Sequence, residues 1–281
     1  MPRAAWDCHA HVFGPNRRFA YAPNAQYRSP DQPGADYLRM LDAVGIQYGV
    51  LSQPSVYGDD NACLLEALRV SNGRLRGVVV ADVLALGDAE LEAMTALGVR
   101  ALRINLALPG GLSITRLADL SARLQEIGWH VEIVLDRIDS VRSLLPALRS
   151  GSVPIVIEQM GSIRAADGLA CAGFADLIGL LRDRAVWVKL SHAYKISTVP
   201  PAYEDTLPYA QALVAAMPSR LLWGSDWPHP RVPGPMPDDG VLLDLLLNWV
   251  NRDMGLVEAI LCTSPETLYG RAGDADPGLS D

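Results

Sequence analysis

The chain has 281 residues, of which 49% are hydrophobic, and a formal net charge of −8. This composition provides one large core. No run of about 18 uncharged apolar residues occurs, which excludes a membrane span. The chain is acidic and has no basic stretch, which argues against nucleic acid as a partner. The four cysteines are scattered without paired spacing and Met1–Ala5 is too short for a secretory signal, so we expect a cytoplasmic protein.

Short β-branched or apolar runs alternate with longer segments of helical periodicity. We predict strands at Trp6–Val12, Tyr48–Gln53, Gly77–Ala81, Ala101–Asn105, His130–Leu135, Ile155–Ile157, Val186–Leu190 and Leu221–Gly224. We predict helices at Tyr37–Val44, Cys63–Ser71, Ala89–Leu97, Thr115–Ile127, Ser140–Leu148, Phe174–Arg182, Tyr209–Met217 and Gly240–Val250. This repeat predicts the α/β class and a single (β/α)8 TIM barrel, slightly distorted, over residues 1–270. We expect residues 271–281 to form a flexible C-terminal tail.

Three long segments interrupt the repeat after the first, seventh and eighth predicted strands. They are Gly14–Gly34, Ile196–Pro208 and Pro228–Asp239. All three are βα loops and therefore share the C-terminal rim of a barrel, where substrates bind. Loops of this length are typical of lids and pocket walls.

Polar residues end the first and the last predicted strands. His9 and His11 are two residues apart and face the same side of a strand, so both imidazoles point to one site. Asp226 follows the eighth strand, which is adjacent to the first in a closed barrel. A pair of buried, hydrogen-bonded histidines is the structural alternative, but a carboxylate beside them favours a catalytic or metal-binding site.

Three motifs together carry a resemblance to a known family. They are Asp7-Cys8-His9-Ala10-His11-Val12-Phe13-Gly14-Pro15, Gln53-Pro54-Ser55-Val56-Tyr57-Gly58 and Trp223-Gly224-Ser225-Asp226-Trp227-Pro228-His229-Pro230. The chain resembles the amidohydrolase superfamily of the amidohydrolase 2 type from about residue 6 to about residue 270. Within it, the motifs resemble the branch of the 2-pyrone-4,6-dicarboxylate lactonases and galactarolactone isomerases.

The resemblance also bears on a metal. In metal-dependent relatives the histidine pair and the aspartate are joined by a Lys or His on strand five and a further His. Here those positions hold Val134 and Gln159, which are poor zinc ligands. We therefore expect no cofactor, although His9, His11 and Asp226 would be the ligands of a divalent metal such as zinc if one bound.

The resemblance implies a hydrolase that opens the lactone of a small organic acid, with an altered acid-binding pocket. We predict that Asp226 activates water as a general base, that His9 and His11 polarise the lactone carbonyl, and that Gln159 donates to the developing oxyanion. The partner is then a small lactone or carboxylate molecule.

Substrate contacts are expected from Arg103, as a bidentate carboxylate clamp, and from Tyr27, Gln53, Ser55, Tyr57 and His192. Two stretches where pyrone-dicarboxylate lactonases are basic are not basic here, namely Leu106–Gly111 and Ser162. A monoanionic or neutral lactone is favoured, because several anionic groups need several cations. Lys195 would restore some charge, as would Lys189 unless it has a structural partner inside the barrel.

Other functions remain open at this point. The same groups suit a sugar-acid lactone isomerase. A zinc-dependent amidohydrolase or decarboxylase is disfavoured by Val134 and Gln159. A non-catalytic binding protein on the same barrel is disfavoured by the presence of His9, His11, Asp226 and Arg103 together. The oligomeric state is not indicated.

Overall fold

The computed structural model describes residues 1–108, 112–150 and 152–270. Its strands are β1 Trp6–Ala10, β2 Tyr48–Ser52, β3 Leu75–Val79, β4 Val99–Asn105, β5 His130–Val134, β6 Ile155–Ile157, β7 Trp187–Leu190 and β8 Leu221–Trp223. Its α-helices are α1 Gly34–Val44, α2 Ala62–Val70, α3 Asp88–Leu97, α4 Leu117–Glu126, α5 Ser140–Ser150, α6 Ala172–Arg182, α7 Ala193–Ile196, α8 Leu207–Ala216, α9 Asp239–Trp249, α10 Met254–Glu258 and α11 Ser264–Tyr269.

All eight strands are parallel and neighbour one another in chain order, so the predicted (β/α)8 barrel is confirmed. The strands are buried almost throughout, as expected when helices cover one face of the sheet and the barrel interior covers the other. Within the described helices, none is long and apolar enough to cross a membrane.

The barrel closes at a seam between β8 and β1. Here the amide of Asp226 donates to the carbonyl of His9 at 2.8 Å, and the amide of His11 donates to the carbonyl of Trp227 at 2.7 Å. At Gly224 a Cβ atom would lie only 2.5 Å from the Cβ of His9, so only glycine allows β1 and the segment after β8 to approach this closely. The seam therefore joins the two ends that carry the predicted catalytic residues.

One side chain strengthens this seam. The Asp7 carboxylate accepts from the amides of His9 (3.1 Å) and Ser225 (2.9 Å) and from the Ser225 hydroxyl (2.5 Å). Asp7 is fully buried, and burial raises its pKa to about 6 against the lowering effect of the Ser225 hydrogen bonds. Asp7 thus ties β1 to the segment that carries Asp226.

A second buried cluster lies inside the barrel. The Lys189 ammonium pairs with the carboxylate of Glu132, which also accepts from the Tyr269 hydroxyl at 2.6 Å. Lys189 and Glu132 are both fully buried. Lys189 is therefore a structural partner within the barrel and does not add charge to the substrate cavity.

The structure differs from the sequence prediction mainly at element ends. β3 begins at Leu75, two residues before the predicted start, and α8 begins at Leu207, with Pro208 in the first turn where its missing N–H costs no hydrogen bond. Helices α7, α10 and α11 were not predicted. The tail predicted at residues 271–281 and the uncharged Pro109, Gly110 and Gly111 lie outside the described residues.

Candidate active site

The predicted catalytic residues converge at the C-terminal end of the barrel. The Nε2 atoms of His9 and His11 lie 3.5 Å and 3.2 Å from the same oxygen, Oδ1 of Asp226. His9 and Asp226 are fully buried, and His11 is 4% exposed. The sequence prediction that these three side chains meet is therefore confirmed geometrically, although their chemical roles remain predictions.

The other carboxylate oxygen of Asp226 is surrounded by donors. Oδ2 lies 2.8 Å from His192 Nε2 and 3.4 Å from the Lys195 ammonium, and it accepts from the Tyr194 hydroxyl. Burial alone would raise the pKa of Asp226, but its contacts with His192, Lys195 and His11 hold it well below its usual range. Asp226 is consequently ionised at neutral pH.

Backbone strain accompanies this arrangement. Asp226 (φ 63°), His192 (φ 65°) and Gln159 (φ 58°) all adopt the left-handed conformation that non-glycine residues rarely take. At Asp226 the hydrogen bond from its amide to His9 holds the backbone in place. Strain of this kind is typically kept where a side chain must be aimed at a functional site.

Neighbouring acceptors fix the proton on His11. Its Nδ1 lies 2.7 Å from the carbonyl oxygen of Ser52, and a carbonyl can only accept, so Nδ1 carries the proton. In the neutral ring Nε2 is then an acceptor that faces Asp226 Oδ1. Two acceptors at 3.2 Å repel each other unless a proton or a cation lies between them.

The other two histidines at the site are held in the neutral form. Burial lowers the pKa of His9 to about 4 and that of His192 to about 3, although Glu158 and Asp226 respectively oppose the shift. A neutral His192 can donate one N–H to Asp226. Both rings are thus available for hydrogen bonding or ligation without a buried positive charge.

The same atoms meet the chemical requirements of a metal site. His9 Nε2 and Asp226 Oδ1 are buried and make no hydrogen bond of normal geometry, and His9, His192 and Asp226 can each offer one ligand atom within 4.8 Å of the others. Three such ligands are typical of catalytic zinc, and the contact of His11 Nδ1 with a carbonyl is typical of a ligating histidine. The residues therefore fit a divalent ion, and the prediction that none is needed stays a prediction.

Arg103 lines the cavity as the sequence predicts, but its guanidinium is paired with protein groups, and its role as a substrate clamp stays a prediction. Its Nε and Nη2 donate to the two oxygens of Glu158 at 3.2 Å and 2.8 Å, and its Nη1 donates to the carbonyl of Gln53 at 2.8 Å. Although burial opposes the charge, Glu158 raises the pKa of Arg103. The edge that would clamp a substrate carboxylate is already paired with Glu158.

A cavity of about 430 Å³ opens above these residues. Among its lining residues are the predicted His11, Tyr27, Ser55, Arg103, Gln159 and His192, together with Val134, Ser162, Arg164, Lys195 and Arg231. A second cavity of about 450 Å³ shares Ser55 and Arg103 with the first. The size of each cavity suits a small organic molecule.

The remaining predicted contacts, Gln53 and Tyr57, border the second cavity rather than the first. Gln53 donates from Nε2 to the carbonyl of Asp60 at 2.8 Å, and the Tyr57 hydroxyl accepts from the amide of Gly14 at 2.8 Å. Both side chains therefore also hold the loops around the site. Their contact with substrate remains a prediction.

Several site residues had no role in the sequence analysis. Tyr194 and Glu158 were not recognised, and neither were the rim arginines, Arg164 and Arg231, which follow β6 and β8. A usable signal was present for Glu158, because a carboxylate directly after a fully apolar strand must find a partner when buried. No local pattern marks the others.

Comparison with known proteins agrees with this geometry. The family model described as amidohydrolase matches residues 6–271. The chain is 35% identical to a 4-sulfomuconolactone hydrolase of Rhizobium radiobacter and 31% identical to a 2-pyrone-4,6-dicarboxylate hydrolase of Comamonas testosteroni, each match covering 96% of this chain and 91% of the relative. It is 26% identical to a D-galactarolactone isomerase of Agrobacterium fabrum, with 96% and 92% covered. The predicted resemblance is thereby confirmed, and the chain belongs to the amidohydrolase family of enzymes, within a group whose named relatives act on lactones.

Proposed function

We propose that this enzyme hydrolyses the lactone of a small organic acid, with Asp226 as the general base. The observation that supports this most directly is the position of Asp226, which is buried in contact with Tyr194 and with three residues that line the cavity, His11, His192 and Lys195. The 4-sulfomuconolactone hydrolase and the 2-pyrone-4,6-dicarboxylate hydrolase named above share about a third of their residues with this chain.

The proposed reaction begins with a water molecule beside Asp226 Oδ1. The water oxygen attacks the lactone carbonyl carbon while one of its protons passes to Asp226. Lys195 and Gln159, both in the cavity wall, donate to the oxyanion that forms. The ring C–O bond then breaks, and Asp226 returns its proton to the leaving oxygen, which yields the hydroxy acid.

A divalent ion would be held by His9, His192 and Asp226, with His11 adjacent, and would supply Lewis-acid activation of water or carbonyl. We propose that turnover does not require it. The Lys195 ammonium already lies 3.4 Å from Asp226, so a dication at the same carboxylate would be close to a like charge. Val134 and Gln159 also line the cavity, and neither is a strong ligand.

The substrate proposed is a lactone with one anionic group. Arg103 is neutralised by Glu158, so the cations left in the cavity wall are Lys195 and the rim arginines. Both rim arginines are exposed, and Arg231 lies over the ring of Tyr27 at 5.8 Å. One carboxylate, Asp136, also lines the wall. This balance accommodates one carboxylate or sulfonate at the mouth while the lactone ring faces Asp226.

Substitution Asp226→Asn tests the base. The amide keeps the shape but cannot take a proton, so kcat should fall by about 10²–10⁴-fold with little change in KM. Turnover of a panel of lactones would be followed by pH-stat, with Asp119→Asn, an exposed position on α4, as the control. Near-normal turnover in Asp226→Asn would refute the mechanism. Incorporation of ¹⁸O from labelled water separates hydrolysis, which incorporates one atom, from isomerisation, which incorporates none.

Metal independence is tested by removing metal. Protein treated with a chelator and then desalted should keep its kcat, and elemental analysis should find well under one zinc or manganese per chain. The control is His192→Asn, which removes one candidate ligand and should leave the metal content of untreated protein unchanged. Loss of turnover on chelation, restored by added zinc, would instead support a metal-dependent hydrolase.

A further inference from the structure

Glu158 has no part in the proposed reaction, yet it contacts two residues of the site. It follows β6 directly and is fully buried. One of its oxygens, Oε2, accepts from Arg103 Nη2 at 2.8 Å and lies 3.7 Å from His9 Nδ1. A single carboxylate oxygen therefore lies between a cation at the cavity wall and a histidine at the catalytic centre.

The contact with Arg103 cancels charge. The guanidinium and the carboxylate form a two-point pair, with the second bond from Nε to Oε1 at 3.2 Å. Both side chains are at most 5% exposed, so water screens the pair little. Arg103 borders both cavities, yet it presents little net charge to a substrate as long as Glu158 is ionised.

The contact with His9 selects a tautomer. A carboxylate oxygen can only accept, so Glu158 favours the form of His9 that carries its proton on Nδ1. The nearby Ser52 hydroxyl, 3.4 Å from Nδ1, can accept the same proton. His9 Nε2 is then left with a lone pair that points toward Asp226 Oδ1, 3.5 Å away.

We propose that Glu158 is a positioning residue that sets the His9 tautomer and masks the charge of Arg103, so that anionic substrates are held at the rim and not at Arg103. The consequence for catalysis rests on the lactone hydrolysis proposed above. In this arrangement His9 Nε2 acts as an acceptor beside Asp226 and holds the attacking water by one of its hydrogens.

Glu132 is the matched comparison within the chain. It is equally buried and equally ion-paired, but its bonds go to Lys189, Tyr269 and His130. Loss of either carboxylate leaves a buried cation unpaired and should destabilise the fold. A Glu132 oxygen also lies within 4.8 Å of ligand atoms of His9 and Glu158, but only Glu158 pairs with Arg103 and lies beside His9 Nδ1. Only the loss of Glu158 should therefore remove the acceptor at His9 Nδ1 and unmask Arg103.

The test compares Glu158→Gln with Glu132→Gln. In Glu158→Gln, kcat should fall by about 10–100-fold, as is usual when the partner of a catalytic histidine is lost. The KM of an anionic lactone should fall several-fold because Arg103 is unmasked, while the KM of its neutral methyl ester should not change. The ¹⁵N spectrum of the five histidines, assigned with His9→Gln, should show the His9 proton leaving Nδ1. Glu132→Gln should leave the ratio of the two KM values unchanged and the His9 proton on Nδ1, because Glu158 is still present.

Glu158→Asp keeps the charge and should recover the wild-type ratio of KM values. If Glu158→Gln does not fold, the His9 tautomer is compared between Arg103→Gln, which keeps Glu158, and the double variant Arg103→Gln/Glu158→Gln, which lacks it. The double variant leaves neither member of this ion pair buried without its partner. A His9 spectrum that stays at the wild-type pattern overturns the proposal, and so does an unchanged ratio of KM values in a folded Glu158→Gln. If the wild type opens no lactone at all, the proposed function fails, and the ¹⁵N spectrum alone still decides the role of Glu158.

Discussion

Asp226 combines two properties that rarely occur together, complete burial and a negative charge. The charge is tolerated because three groups, His192, Tyr194 and Lys195, surround one of its oxygens. The other oxygen is left facing His9 and His11, where a water molecule can be bound. Within this one residue, contacts to Oδ2 stabilise the buried charge, and Oδ1 is left for the proposed reaction with water.

The charge of Lys195 should therefore control the acidic limb of the pH profile. Because the pKa of Asp226 is well below its usual range, kcat/KM should persist as the pH falls through 5 and be lost only as the pH passes the lowered pKa. Lys195→Gln removes one of the lowering charges, so the acidic limb should move to higher pH. Lys195→Arg keeps the charge and should keep the limb in place. If the acidic limb of the kcat/KM profile has the same midpoint in Lys195→Gln as in the wild type, this limb does not belong to Asp226.

At the scale of elements, the site depends on the seam between β1 and β8. Few backbone bonds join the two segments here, and the Asp7 carboxylate supplements them with contacts to both sides. Asp7 binds the amides of His9 and Ser225, and His11 and Asp226 follow these two residues within two positions. The distance from the histidines to Asp226 is consequently set by this seam.

Asp7 should make stability depend on pH in a narrow window. Its pKa is raised to about 6 in the folded protein, above the ordinary value near 3.8. The folded state thus binds this proton more tightly, so the contribution to stability is full below pH 4 and is lost as the pH rises toward 6, by roughly 3 kcal/mol. Asp7→Asn has no such proton. The free energy of unfolding of the wild type minus that of Asp7→Asn, measured in urea, should decrease from pH 4 to pH 6.5 and then level off.

The exposed Asp42→Asn serves as the control for this window, because its carboxylate pairs with Arg74 at the surface. A constant difference between wild type and Asp7→Asn across the whole range would show that Asp7 does not titrate in this way.

The elements and the three central residues followed from local pattern, whereas their partners did not. Alternating apolar runs and the spacing of His9 and His11 predict a strand with two imidazoles at its end, because side chains two apart share a face. The pairing of Arg103 with Glu158 joins positions 55 residues apart, and it depends on the barrel bringing together strands that are not neighbours. The same holds for Tyr194, which reaches Asp226 across 32 residues from a short helix that no periodicity indicated.

At the scale of the whole molecule, an acidic protein is proposed to bind an anion. The net charge of −8 repels an anionic substrate at long range, but salt screens this repulsion beyond about 8–10 Å. Within that distance the rim arginines and Lys195 determine the potential at the cavity mouth. Attraction is therefore local, and it should show in substrate binding more than in solubility or fold.

Removing the rim arginines should separate charged from neutral substrates. Arg164→Gln and Arg231→Gln should each lower kcat/KM for an anionic lactone by roughly threefold to tenfold at low salt, since exposed charges contribute modestly, and leave the methyl ester unaffected. The loss should shrink at 0.5 M salt, because the Debye length then falls to a few ångströms. Arg182→Gln, exposed on α6 away from the mouth, should change neither substrate. Equal losses for the acid and the ester would mean that these arginines support the loops and do not bind the anionic group of the substrate. Lys195 would then be the cation that binds this group.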